Sequence, residues 1–269
     1  MSKTAETWFQ KGQFLTHQGD YKGAIAAYTK SIRFNRQYTA AYFERGMIYM
    51  SQNKAKAALR DFNRTLQLDA THAQGYNQRG MVHVYQSRFE KAAHDFDKAL
   101  ELKPDYAPAY VNRGSLRAML DDKVGALLDL SQAIILDPQN ANAYYNRAYA
   151  YQRDGRYDAA LPDYDKAIQL RPNYHAAYYN RGEVAFNQGR DKVALADIQK
   201  AIQLAPQFKH YNVGLALVQH RLRQVDKAMT LWQQVIAADS RYHDLEWAAR
   251  HNRWSDMMRE EAEKLLLRL

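Results

Sequence analysis

The chain has 269 residues, of which 46% are hydrophobic, and it carries a net charge of +9 and no cysteine. The lack of cysteine excludes a disulfide framework, a cysteine zinc site and a cysteine nucleophile, and it is typical of a reducing compartment. No apolar stretch approaches the roughly 20 residues of a membrane-spanning helix, and the first residues lack the basic and apolar pattern of a signal peptide. We therefore expect a cytoplasmic protein without a membrane span.

A five-residue motif, Tyr-Xaa-Asn-Arg-Gly at 110–114, recurs with small changes at intervals of 34 residues. It appears at 76–80 one interval earlier and at 144–148 one interval later. A fixed period of this length indicates a repeat array. With the motif glycine as the eighth position, the chain divides into a tail, seven units and a C-terminal segment: 1–4, then 5–38, 39–72, 73–106, 107–140, 141–174, 175–208 and 209–242, then 243–269.

Each unit carries two sets of core residues at helical spacing. Positions 4, 8 and 11 share one face of a first helix, and positions 20, 24, 27 and 28 share one face of a second. Position 20 is alanine throughout: Ala24, Ala58, Ala92, Ala126, Ala160, Ala194 and Ala228. Turn residues such as Gly19-Asp20 and Asp154-Gly155 separate the two helices. Each unit is therefore predicted to be an antiparallel helix pair that buries its apolar face by stacking on its neighbours.

The small residues at positions 8 and 20, the large apolar or aromatic residues at 4 and 24, and the proline at 32 of the middle units resemble the tetratricopeptide repeat family across 5–242. The Asn-Arg-Gly motif is similar to repeats common in bacterial, especially cyanobacterial, members. The resemblance implies an all-α fold, a right-handed superhelical solenoid of antiparallel helix pairs with a C-terminal capping helix. Unit 5 departs from the pattern at Pro162, which we expect to kink its second helix.

A second regularity joins position 7 to position 23. Both are charged in units 2 to 6, as Arg45 and Asp61, Arg79 and Asp95, Arg113 and Asp129, Arg147 and Asp163, and Arg181 and Asp197. Where the arginine is absent the aspartate is absent too, as at Leu215 and Leu231 of unit 7. Since the two positions face each other across a helix hairpin, we predict an ion pair within a hairpin or between adjacent ones. The alternative is a row of free arginines that binds anions.

The C-terminal segment is predicted to contain two helices. The first begins near His243, and Ser255-Asp256 can cap the second with an acidic residue at its start. The apolar residues of this last helix fall on one face: Trp254, Met257, Met258, Ala262, Leu265, Leu266 and Leu269. We expect the helix to cover the core of unit 7. The alternative is a helix for self-association.

Function is expected on the first helices, which line the concave groove of such a stack, with positions 2, 5, 6, 9, 12 and 13 facing the groove. Amide side chains both donate and accept hydrogen bonds, so a row such as Asn112, Asn146 and Asn180 can hold an extended peptide backbone. The row is similar to the asparagine ladder of the superhelical domain in O-linked N-acetylglucosamine transferases. The alternative is that position 6 is merely solvated. The predicted partner-binding residues are Phe43, Glu44, Met47, Asn77, Gln78, Met81, Val111, Asn112, Tyr145, Asn146, Tyr149, Tyr179, Asn180 and Glu183.

We therefore expect a non-enzymatic scaffold or assembly adaptor that binds a protein or peptide segment, with no cofactor and no metal. Motifs for phosphate loops, dinucleotides and nucleophile elbows are absent. The family's clamp for chaperone C-terminal tails needs lysine at positions 2 and 5, and the chain has none there, so that partner is not expected. The net charge leaves a nucleic-acid partner as the alternative, and a homo-oligomer through the C-terminal helix is compatible with either.

Overall fold

The computed structural model describes residues 4–252 and 254–267. Over these residues the chain forms sixteen α-helices and one 3-10 helix, without a strand. The helices divide into two compact units, Met1–Pro138 and Gln139–Leu269. The prediction of an all-α fold is therefore confirmed.

Within both units, consecutive helices form closely packed pairs. The first unit contains α1 (Ala5–His17), α2 (Tyr21–Phe34), α3 (Thr39–Ser51), α4 (Ala55–Leu68), α5 (Ala73–Tyr85), α6 (Phe89–Leu102), α7 (Ala107–Met119) and α8 (Lys123–Leu136). The second contains α9 (Ala141–Arg153), α10 (Tyr157–Leu170), α11 (His175–Asn187), α12 (Asp191–Leu204), α13 (Tyr211–Arg221), α14 (Val225–Ala238), the 3-10 helix (Ser240–His243), α15 (Leu245–Asn252) and α16 (Asp256–Leu266).

Each helix pair turns through one residue with a positive φ at position 15. These residues are Gly19 (76°), Asn53 (57°), Ser87 (55°), Asp121 (65°), Gly155 (72°), Gly189 (72°) and Arg223 (64°). The left-handed region suits glycine because a Cβ atom clashes there with the backbone. The turn is therefore fixed by the geometry of the hairpin, even where the sequence offers a residue other than glycine.

Close contact between the paired helices depends on a small residue at position 8. A Cβ atom built on Gly80 would lie 2.7 Å from Cε1 of Phe96, and one built on Gly46 would lie 2.8 Å from Cε1 of Phe62. Both rings are completely buried. The glycine therefore makes room for the large side chain at position 24, which fills the centre of each pair.

The predicted ion pairs all form, each within its own hairpin. The arginine Nε and Nη2 atoms donate to the two carboxylate oxygens at 2.7–2.8 Å in every case: Arg45 to Asp61, Arg79 to Asp95, Arg113 to Asp129, Arg147 to Asp163 and Arg181 to Asp197. The aspartates are buried. Such two-point contacts are the strongest geometry of an arginine with a carboxylate, so these arginines are not a free row for anions.

Each of these arginines also lies against the tyrosine at position 4. The guanidinium carbon is 5.4–6.0 Å from the ring centre in all five units, from Arg45 over Tyr42 to Arg181 over Tyr178. The ring face attracts the cation. The tyrosine of the repeated motif is therefore half-buried, and its ring contacts the arginine of the same motif.

The last helix packs on the seventh helix pair. Met258, Ala262 and Leu265 are buried in one core with Leu217 and Trp232. The hydroxyl of Ser255 accepts a hydrogen bond from the Met258 backbone N–H, as expected of an N-cap. The apolar face of α16 thus closes the end of the core of α13 and α14.

A polar contact adds to this attachment. Nδ1 of His220 on α13 lies 2.6 Å from a carboxylate oxygen of Glu261 on α16, and both side chains are buried.

Of the apolar residues predicted to share one face of the last helix, Leu265 is buried, Met257 is exposed and Leu269 lies outside the described residues. Leu267, beyond the helix, is 89% exposed.

Pro162 lies inside α10, which continues from Tyr157 to Leu170. The helix is as long as α8 and α12, so the proline does not end it. Among the described helices, none is both long and apolar enough to cross a membrane.

Candidate functional site

A cavity of about 390 Å³ opens in the second unit, between α9, α11, α13 and α15. We call it the tyrosine cavity. It is lined by Tyr145, Tyr149, Gln152, Arg153, Ala176, Tyr179, Asn180, Glu183, His210, Tyr211, His251 and Asn252. Five of the predicted partner-binding residues are thus brought together in one place, at about the size of a pocket that holds a small ligand.

Glu183 is the acidic group of this cavity. Its carboxylate accepts a hydrogen bond from Gln152 Nε2 at 3.2 Å and another from the Tyr179 hydroxyl. Burial raises the pKa of Glu183 to about 7, because removal from water disfavours the charged form and these two neutral donors compensate only in part. The side chain therefore changes charge near neutral pH.

The floor of the tyrosine cavity is a chain of polar contacts. Asn180 Nδ2 donates to the Tyr145 hydroxyl at 3.1 Å, and the buried Tyr164 hydroxyl donates to Gln152 Oε1 at 2.5 Å. Gln152 in turn donates to Glu183. These contacts hold the cavity side chains in one arrangement before any ligand enters, which reduces the cost of ordering them on binding.

Aromatic rings form the walls. Tyr145 and Tyr149 lie nearly parallel with ring centres 6.5 Å apart, and Tyr179 and Tyr211 stack at 4.3 Å. The Tyr211 hydroxyl forms a hydrogen bond with Nδ1 of His175 at 2.7 Å. The cavity is therefore a rigid aromatic surface around one carboxylate.

In the first unit the predicted amide row is partly occupied by internal contacts. Asn112 Nδ2 donates to Asn77 Oδ1 at 2.9 Å, and Asn77 is only 1% exposed. Val111 is buried as well. The expectation that position 5 points into an open groove is therefore wrong for Asn77 and Val111, because both side chains are buried. Tyr179 at the same position is also buried, although it reaches the tyrosine cavity.

The other predicted residues of the first unit differ in environment. The Phe43 ring packs on Phe62 and on His72, with ring centres 5.9 and 4.8 Å apart. Glu44 is half-buried, and burial raises its pKa. The remaining side chains that are not fully buried are Met47, Gln78, Met81 and Asn112. In the second unit Asn146 is half-buried and is not part of the tyrosine cavity lining.

Sequence reasoning missed Gln152, His210, Tyr211 and His251 as cavity residues. Gln152 stands at position 12, which faces the groove in the expected geometry. Tyr211 stands one residue before the position where the repeat has its aromatic residue, and α13 begins at Tyr211, two residues later in its unit than the other first helices do. His251 comes from the C-terminal segment, where no repeat pattern could place it.

Sequence profiles of the tetratricopeptide repeat match residues 5–38, 39–72, 73–106, 141–174 and 175–208, and a further repeat profile matches 125–155. The chain belongs to the tetratricopeptide repeat family. No curated protein matches the sequence itself. The matched ranges of 34 residues coincide with units read from the periodicity.

Solved structures place the chain among tetratricopeptide repeat proteins of the same fold. The APC/C hetero-tetramer Cut9-Hcn1 is 16% identical with a TM-score of 0.76, over 80% of this chain and 43% of that one. A repeat protein from Parabacteroides merdae is 18% identical with a TM-score of 0.69, over 99% and 100%. YrrB, described as a repeat protein with an unusual peptide-binding site, is 25% identical with a TM-score of 0.51, over 68% and 94%. The chain thus spans less than half of the first of these relatives.

Proposed function

We propose that this tetratricopeptide repeat protein is a non-enzymatic scaffold that binds a segment of a partner protein, and that the tyrosine cavity is the centre of its site in the second unit. The observation that carries the proposal is the convergence of Tyr145, Tyr149 and Glu183, from the first helices of two consecutive repeats, on one preorganised cavity. Tyrosine supplies a large contact area at low entropic cost, which suits recognition of a peptide. The peptide-binding site named for YrrB supports the same class of ligand.

The contribution of the amide row follows from its internal contacts. Asn180 donates one amide hydrogen to the Tyr145 hydroxyl and lines the cavity. Asn112 in the first unit likewise donates to Asn77. We therefore propose that these amides act on a bound segment chiefly as acceptors of its backbone N–H groups.

Peptides selected from a displayed random library against the whole protein test the proposal. Binding is measured by fluorescence anisotropy for the parent and for Tyr149→Ala, with Tyr85→Ala as the control at an exposed tyrosine of the first unit. We expect Tyr149→Ala to weaken binding by at least about tenfold, as for an aromatic anchor, and Tyr85→Ala to have no effect. Equal affinities for the parent and Tyr149→Ala would reject the cavity as the site.

A nucleic-acid partner rests on the net charge of +9 alone. Five arginines of the repeat are held by buried aspartates, so these particular side chains are not free to bind phosphates. Nucleic-acid binding falls steeply with the logarithm of salt concentration. Peptide binding that persists at high salt and in the presence of competitor DNA would exclude this alternative.

A further inference from the structure

Among the described residues, Glu183 is a half-buried carboxylate without an ion pair; Glu44 of the first unit is another, but Glu183 is the one that lines the tyrosine cavity. Each fully buried carboxylate in the described part of the chain has a cationic or titratable partner: Asp61, Asp95, Asp129, Asp163 and Asp197 have arginines, and Glu261 has His220. Glu183 has only the neutral donors Gln152 and Tyr179. Burial of a carboxylate without a cation is costly, so its place at a cavity points to a cation supplied from outside the chain.

The walls of the tyrosine cavity suit the same charge. The face of an aromatic ring carries negative potential, and a cation within about 6 Å of the ring centre is attracted to it. Tyr145 and Tyr149 line the cavity beside Glu183 with their ring centres 6.5 Å apart, and Tyr179 and Tyr211, which stack on each other, line it as well. An alkylammonium group in this cavity would be attracted both by the faces of the tyrosine rings and by the carboxylate. Both attractions are stronger where water is excluded.

The basic groups near Glu183 do not occupy this position. Arg153 lines the cavity but is exposed, and no salt bridge joins it to Glu183. The pKa of His210 is lowered by burial and by the nearby His251 and His175, which favours its neutral form at pH 7. The charge at the centre of the cavity is therefore that of Glu183, while the solvated Arg153 is screened at the rim.

We propose that the tyrosine cavity binds an alkylammonium group, with Glu183 as its counter-ion and the tyrosine rings as its walls. The group is supplied by a lysine side chain of the bound segment or by a free amine. The first source rests on the proposed function, because the lysine then belongs to the partner segment, whereas the second does not.

Titration of the full-length protein with tetramethylammonium chloride tests the ammonium site directly. The tyrosine ring resonances are followed by NMR at constant ionic strength, with sodium chloride as the reference salt. We expect saturable shifts with tetramethylammonium and none with sodium. Glu183→Gln keeps the size of the side chain and one acceptor oxygen but removes the charge, and it is expected to weaken binding by at least about tenfold. Glu260→Gln, at an exposed position of α16, leaves binding unchanged.

Circular dichroism shows whether Glu183→Gln folds, and a second variant tests the site if it does not. Tyr149→Leu removes a cavity ring while keeping an apolar side chain, and it is expected to lose binding as well. Shifts that sodium reproduces, or an affinity for tetramethylammonium that neither variant changes, would overturn the proposal.

The pH dependence supplies a readout that a merely structural glutamate would not give. Glu183 ionises as the pH rises through about 7, so the affinity for tetramethylammonium should rise between about pH 6 and 8. Protonation of His210, whose pKa is lowered by burial, acts in the same direction. Because only the Glu183 contribution disappears in Glu183→Gln, we expect a clearly smaller rise in that variant, and an equal rise would contradict the role of Glu183.

Two further ligands separate the sources. Blocked lysine, with both backbone ends capped as amides, is compared with butylamine, which carries the same ammonium group without a backbone. Tighter binding of blocked lysine assigns the group to a peptide side chain, and equal binding assigns it to a free amine. If selected peptides bind but no ammonium ligand does, the ammonium proposal fails while the scaffold function stands; the reverse result would reject only the peptide function.

Discussion

At the scale of single residues, the arginine at position 7 makes two kinds of contact through its three guanidinium nitrogens. Nε and Nη2 hold the aspartate of the same hairpin, and Nη1 reaches position 25 of the preceding repeat. The acceptor there varies, with Thr29, Asn63, Asp97 and Asp165 at 2.6–3.0 Å. One side chain therefore stabilises its own helix pair and attaches it to the one before.

Replacement of Arg79 by Ala should leave the buried carboxylate of Asp95 without its partner. Loss of one member of a buried ion pair costs about 3–5 kcal/mol of the free energy of unfolding. The double variant Arg79→Leu with Asp95→Leu copies the leucines found at the same positions of unit 7, Leu215 and Leu231. We expect urea unfolding to show most of the stability restored in the double variant, and equal losses in the single and double variants would contradict this account.

The raised pKa of Glu183 predicts a stability that depends on pH. Because the folded state holds its proton more tightly than the unfolded chain, the contribution of Glu183 is fully present below about pH 4.5 and is lost as the pH rises through about 7. At pH 8 we expect Glu183→Gln to be more stable than the parent by about 2–4 kcal/mol, at roughly 1.4 kcal/mol per pKa unit. Thermal unfolding of both proteins is measured at pH 5 and at pH 8, which lie about one unit or more to either side of the pKa. The histidine contributions largely cancel when the stability of the parent is subtracted from that of the variant at each pH. A difference that does not change with pH would show that Glu183 is ionised throughout.

At the scale of the helix pair, position 15 is constrained by the backbone and not by its side chain. Gly189 has a φ of 72°, and a Cβ atom added to it would have no neighbour within 4 Å, whereas Arg223 adopts 64° without being glycine. The conformational cost of a Cβ in this region is about 1 kcal/mol. The hairpins with a glycine turn therefore carry less backbone strain than the last one.

A reciprocal exchange tests the turn. Arg223→Gly should raise the free energy of unfolding by about 1 kcal/mol, and Gly189→Ala should lower it by a similar amount. Chemical denaturation of the two variants, followed by circular dichroism, measures both. If Arg223→Gly is destabilising, the arginine side chain contributes more to the turn than the backbone strain it imposes.

Pro162 offers a second test at this scale, because the same position of the next repeat is Ala196. Both side chains are exposed on the outer face of a second helix. Proline inside a helix removes one backbone hydrogen bond and costs up to about 3 kcal/mol. We expect Pro162→Ala to raise the melting temperature and Ala196→Pro to lower it, and an unchanged melting temperature in both would show that the proline is accommodated without loss.

At the scale of the whole molecule, the features that recur from repeat to repeat could be predicted from the sequence, whereas the features that occur once in the chain could not. The helix pairs and the ion pairs of Arg79 and Arg113 follow from residues that recur at one spacing, so each copy supports the others. The depth of Asn77 and Val111 depends on how closely neighbouring first helices approach, which no periodicity records. The tyrosine cavity could be predicted only in part, because Tyr211 stands one residue before the position that carries the aromatic residue in the other units.

The C-terminal segment is predicted to be necessary for the stability of the second unit. A chain that ends at Asn252 would lose α16, expose Trp232 and leave the buried His220 without Glu261. Each large apolar side chain returned to water costs about 1.5–3 kcal/mol. We expect a lower melting temperature and self-association by light scattering, with Leu267→Gln in the full chain as a control that changes neither. A shortened chain that stays monomeric and equally stable would reject the covering role of α16.

The confinement of each ion pair to a single repeat has a consequence for how such an array changes length. Because the arginine and the aspartate are encoded 16 residues apart within one period, a duplication or deletion of a whole period adds or removes both charges together. Removal of residues 73–106, for example, would bring Arg113 next to Asn63, an acceptor of the kind that Arg79 already uses there. The chain can therefore gain or lose a helix pair without leaving a buried charge unpaired.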